Sequence, residues 1–119
     1  MSAFSSDRIQ LARPNARVWV MAGETIVADT RAPVCLTECG YPPRWYFPPA
    51  AVARARLVPS ATRTRCPFKG EADYFNVQHG ATTLVDAAWR YNTPIDSMAT
   101  IARHVAFDHP QLRFHIEHY

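Results

Sequence analysis

The chain has 119 residues, 48% hydrophobic and 19% charged. This suits one globular domain with a modest core and excludes both a disordered chain and two ordinary domains, while no apolar run approaches the ~20 residues of a membrane-spanning helix. A net charge of +3, carried by dispersed basic residues, lacks the dense stripe used for non-specific nucleic-acid binding.

Residues 1 to 15 read as an irregular leader ending around Pro14. They hold no apolar stretch followed by a small-residue cleavage site, so a cytoplasmic protein is expected. "RVWVMAGETIVADT" reads as a hairpin, with Gly23 and Glu24 at its turn and β-branched residues on both arms. "PVCLTE" is a third short strand whose alternation sets Val34, Leu36 and Glu38 on one face and Cys35 and Thr37 on the other. A glutamate closing an apolar face needs a partner or an opening to water.

"GYPPRWYFPPAAVARARLVPS" holds five of the ten prolines. Pro-Pro pairs on both sides of "RWYF" exclude a long helix and leave a short extended aromatic segment, with a turn or two of helix expected in "AAVARA". "TRTRC" alternates again, Thr62, Thr64 and Cys66 on one face, before Pro67 holds Cys66 extended and Gly70 permits a turn. "EADYFNV" and "TTLVDAAWRY" are the next two strands. Thr93 as N-cap, Pro94 at the first position and Asp96 at the positive end of the dipole start a helix from about Pro94 to Phe107, with Ile95, Met98, Ile101, Ala102 and Val105 on its apolar face. "QLRFHIEH" closes the chain as a strand burying Leu112, Phe114 and Ile116. The expected fold is therefore mainly β (β-rich α+β). It is a single domain over residues 1 to 119, built of small antiparallel sheets in a tent- or barrel-like arrangement, with one C-terminal covering helix.

Three cysteines, an odd number, form no closed disulfide framework, and Cys35 and Cys39, roughly 13 Å apart in an extended segment, are too distant to bridge. No cysteine–histidine spacing supplies a four-ligand set, so no zinc and no cofactor is expected. Of the thirteen basic residues twelve are arginine, and the one lysine is Lys69. Lysine, unlike arginine, offers a compact and deprotonatable ammonium.

"LTECGYPPRWYFP", "TRTRCPFKGEADYF", "AAWRYNTP" and "ATIARHVAFD", in that order and spacing, resemble the domain-of-unknown-function family 427 from Arg17 onward. The resemblance implies a small mostly-β domain of bacterial or fungal type. It also carries a nucleotidyltransferase-like label, although the Gly-Ser and paired-aspartate pattern of that chemistry is missing here. Its pattern falls on Glu38, Tyr46, Thr64, Cys66, Lys69, Gly70, Tyr74, Trp89 and Tyr91. The chain departs from it after Pro48, where Pro49, Ala50 and Ala51 replace charged residues and put the floor of the implied site in question.

The same residues can form one constellation: a carboxylate, an ammonium, a thiol and an aromatic wall. Three readings follow. In the first, a pocket binds a small anionic or aromatic molecule through Lys69, Tyr46, Thr64, Tyr74, Trp89 and Tyr91. In the second, an enzyme uses Cys66 as nucleophile, its thiolate favoured by a nearby cation, and Glu38 as acid or base. In the third, the domain is structural, with Cys66 and the aromatics as core and Lys69 paired to Glu38 or Glu71. The partner expected is a small molecule rather than nucleic acid or membrane, and a homodimer is left open.

Overall fold

The structure, a computed structural model, describes residues 8–119. Ten strands follow one another: Ile9–Ala12 (β1), Ala16–Ala22 (β2), Thr25–Thr30 (β3), Val34–Glu38 (β4), Arg44–Tyr46 (β5), Leu57–Cys66 (β6), Gly70–His79 (β7), Thr82–Tyr91 (β8), Val105–Phe107 (β9) and Leu112–His118 (β10). They make three antiparallel sheets, in the orders β1-β4-β5, β10-β2-β3 and β6-β7-β8-β9. Among the described residues the sheets stay open and no barrel closes. No helix among the described residues is long and apolar enough to cross a membrane.

The third sheet is the middle layer. Tyr74, Trp89 and Ala106 lie opposite one another on its ladders, and the next rung is Phe75, Ala88 and Phe107. Successive rungs point to opposite faces. On one face Phe75, Ala88 and Phe107 pack against Val18, Val20, Val27 and Leu112 of the β10-β2-β3 sheet. On the other, Ala72, Tyr91 and Ala106 pack against Ile9, Val34, Leu36 and Tyr46 of the β1-β4-β5 sheet.

This layering corrects the expected covering helix. The segment from Pro94 to Phe107 forms a short 3-10 run, Asp96–Ile101, broken at Met98, and then β9. Met98 and Ile101 are the buried positions of that run, and a spacing of three satisfies the tighter 3-10 turn as well as an α-helix. Val105, Ala106 and Phe107 are all buried because both faces of their strand are covered. A continuous apolar run of this kind cannot be told from a helix by periodicity.

Two further expectations change. Of the leader expected over residues 1 to 15, the first seven lie outside the described residues, while Ile9–Ala12 pairs with Glu38–Cys35 of β4. Its alternation buries Ile9 and half-buries Leu11 against the second core. In β10, Leu112 is buried, but Phe114 and Ile116 are 37% and 42% exposed. They share a face with their partners Val20 and Val18. However, β10 is an edge strand and has a neighbour on one side only.

The long strands bend at bulges between Pro59 and Arg63 and between Phe75 and Val77. Asp86 sits at the second bend with φ of 52°, in the left-handed region where aspartate is tolerated. Its carboxylate accepts hydrogen bonds from the Ser60 hydroxyl at 2.5 Å and the Thr62 hydroxyl at 2.7 Å, and its N–H donates to Asn76 Oδ1. The two hydroxyls favour the ionised form and lower its pKa from the ordinary 3.8. A lowered folded-state pKa gives stability above the unfolded value that is lost as pH falls through the folded one. Asp86→Asn should therefore show a shallower loss of stability below about pH 4 than the parent chain in urea titrations repeated across pH.

Candidate functional site

A cavity of about 470 Å³ opens between the β1-β4-β5 sheet and the middle layer. Glu38 reaches it because it ends the apolar face that buries Val34 and Leu36. Tyr46 comes from β5, across from Val34 in the ladder. Cys66 and Lys69 come from the turn joining β6 and β7, where Cys66 pairs with Gly70 and the Lys69 N–H donates to the Cys66 carbonyl. Tyr74, Trp89 and Tyr91 share one face of β7 and β8.

Seven of the eight site residues read from the sequence thus line one cavity: Glu38, Tyr46, Cys66, Lys69, Tyr74, Trp89 and Tyr91. The eighth, Thr64, lies beside it, its hydroxyl 3.2 Å from that of Tyr74. Pro49, Ala50 and Ala51, where the chain departs from the family pattern, are not on its floor. Ala50 and Ala51 line a separate open depression with Pro48, Arg17 and Asp29, and Pro49 borders another cavity beside Arg54 and Leu57.

The turn is held tightly from outside. Gly70 has φ of +122°, and a Cβ there would stand 3.2 Å from Pro94 Cα. The Ile95 N–H also donates to the Lys69 carbonyl at 2.9 Å. The Cys-Pro-Phe-Lys-Gly frame is therefore clamped against the Pro94–Ile95 segment, which aims the Lys69 side chain at β4.

Lys69 Nζ lies 2.9 Å from Glu38 Oε1, with side-chain exposures of 16% and 12%, and Arg8 Nε lies 3.6 Å from Glu38 Oε2. Both carboxylate oxygens are engaged. A second ion pair joins Arg44 to Asp108 at 3.2 Å, and the Arg44 guanidinium stands 5.6 Å from the Trp89 ring centre. Arg44, Asp108 and the exposed Tyr41 line the cavity without having been singled out in the sequence. Arg44 had one signal, its place beside Trp45 and Tyr46 in the proline-framed segment. Asp108 had none.

Four of the chain's five tyrosines, 41, 46, 74 and 91, meet here with Trp89. Trp89 donates its indole N–H to the Tyr46 hydroxyl at 3.3 Å, and the Tyr74 ring tilts against Trp89 at 6.0 Å. Burial pushes Tyr46 up to about 12, partly offset by the Trp89 hydrogen bond. Burial raises Tyr91 further, with no side-chain hydrogen bond to offset it. Raised folded-state values mean that the neutral phenols stabilise the fold below pH 10 and that this contribution is lost as pH climbs toward 12. Spectrophotometric titration at about 295 nm should show two of the five tyrosines ionising late, together with loss of near-UV circular dichroism.

All three cysteines are free thiols. Among the described residues no cluster of three His, Cys, Asp or Glu side chains is placed to hold a metal ion, and no histidine lines this cavity.

Residues 10–117 match the family described as a domain of unknown function (DUF427). No curated protein matches the chain.

Proposed function

We propose that this chain, which belongs to the DUF427 family, binds a small, uncharged, flat molecule with hydrogen-bonding edges in the cavity beside the Cys-Pro-Phe-Lys-Gly turn. The convergence of four of five tyrosines and Trp89 carries this reading. Trp89, Tyr74 and the exposed Tyr41 supply stacking surface and polar groups at the rim, while the buried Tyr46 and Tyr91 form the inner wall.

The charges argue against an anionic ligand here. Lys69 and Arg44 are the cations of the lining, and each already holds a carboxylate. Glu38, Asp86 and Asp108 outnumber them. The catalytic alternative, with Cys66 as nucleophile and Glu38 as acid or base, has less support. Acid–base work by Glu38 would first have to break its pairs with Lys69 and Arg8, and Cys66 has no histidine beside it in the cavity to take its proton.

Cys66 lines the cavity, whereas Cys39 is exposed away from it, so the thiols report occupancy. Alkylation with iodoacetamide, followed by peptide mapping, should slow at Cys66 in the presence of indole, phenol or adenosine and stay unchanged at Cys39. If none of these neutral aromatics slows Cys66 at millimolar concentration, or if acetate alone does so, the reading fails.

A further inference from the structure

A second cavity, of about 410 Å³, lies on the opposite face of the middle sheet. Arg90 falls between Trp89 and Tyr91 on β8, so the pleat that turns those two rings toward the first cavity turns Arg90 away from it. Arg54, from the 3-10 turn Arg54–Arg56, and Arg103, just before β9, converge with Arg90 there. Phe75, Leu57 and Val105 supply apolar walls, and among the described residues no carboxylate lines the cavity.

No carboxylate among the described residues neutralises these three guanidiniums. Among the described residues the basic partners in ion pairs are Arg8, Arg17, Arg44, Arg63 and Lys69. The carboxylate opposite Arg90 in the ladder is Asp73, and it is engaged by Arg63 at 3.4 Å. The buried Nε of Arg90 has no hydrogen-bond partner among the described residues, and its guanidinium stands 4.9 Å from the Phe75 ring centre. A buried donor left unpaired costs free energy, and one found in a native fold calls for a partner.

Arg103 adds an independent observation. Its φ is 61°, in the left-handed region that glycine adopts freely and other residues occupy at a cost. A position whose backbone favours glycine instead carries a long cationic side chain on the wall of this cavity. Strain held at such a position points to a use for the side chain.

We infer that this cavity is a binding site for a phosphate monoester with an apolar body, the oxyanion held by Arg54, Arg90 and Arg103 and the body resting on Phe75 and Leu57. Guanidinium forks match phosphate oxygens bidentately, and a dianion answers three unpaired cations better than a single carboxylate does. The anionic chemistry that the first cavity is poorly charged to accept thus has its place on the other side of β8.

Isothermal titration of the whole chain with phenyl phosphate at low salt tests this. One molecule should bind per chain, more tightly than inorganic phosphate, which lacks the apolar body, and than benzoate, which lacks the second charge. Arg103→Gly should weaken binding about tenfold or more, the usual effect of losing a charge-assisted hydrogen bond, while leaving the melting temperature unchanged or raised because glycine suits the backbone. Arg54→Ala, on an exposed turn, should weaken binding without loss of fold. Arg65→Ala removes an equal charge from an exposed position on β6 and should bind as the parent does. The proposal is overturned if phenyl phosphate does not bind, if Arg103→Gly and Arg54→Ala bind it undiminished, or if Arg65→Ala loses as much as they do.

Discussion

Replacing Phe107 by alanine should cost about 3–5 kcal/mol of unfolding free energy, the usual result of emptying a buried aromatic site. Phe107 is 1% exposed and meets Phe47 edge to face, ring centres 5.7 Å apart. Its strand is covered on both faces, so neither outer sheet can close over the void without pulling away from the middle layer. In addition, Phe47 and Val105 exchange backbone hydrogen bonds of 2.8 and 2.9 Å, which fix the rings' spacing and prevent local collapse. Equilibrium urea unfolding of the variant measures the loss. A loss below about 1 kcal/mol would mean that the Phe107 side chain is not buried between the sheets.

The second large effect is asymmetric. Glu38→Gln leaves Lys69, with a side chain only 16% exposed, without its anionic partner. The cost should be about 3 kcal/mol, at the low end for breaking a buried pair because the cavity admits water to the ammonium. Lys69→Met leaves Glu38 with Arg8 at 3.6 Å and should cost about 1–2 kcal/mol. The ordering matters more than either value. Equal, small losses from both variants would show that the pair is solvated and contributes little, as exposed pairs do.

The strands were largely legible because their alternation is strong. Val34, Leu36 and Glu38 share a face in the structure as they do in the pattern, and the turns at Gly23 and Gly70 fall where glycine sits. Elements with both faces covered, or with one edge open, were not legible. Val105 to Phe107 shows no alternation because it has no polar face. Phe114 and Ile116 look like core because nothing in β10 itself records that the sheet ends there. The candidate site was legible where chemistry clusters along the chain, from Thr64 through Tyr74 and from Trp89 to Tyr91. The Arg44–Asp108 pair was not, since it depends on β5 lying beside β9. Nor was the convergence of Arg54, Arg90 and Arg103, which come from three distant segments and are scattered among twelve arginines.

Occupancy of the tyrosine-lined cavity by a neutral aromatic molecule can be read from the three tryptophan indoles. Trp89 lines the cavity, with its indole N–H directed at Tyr46. Trp19 stacks on His115 in another sheet, and Trp45 packs against the opposite core. In a nitrogen-15 correlation spectrum titrated with indole or adenosine, the Trp89 side-chain signal should shift progressively to saturation while those of Trp19 and Trp45 stay in place. A titration in which the Trp89 signal does not move, or moves no more than the other two, would mean that no such molecule enters the cavity.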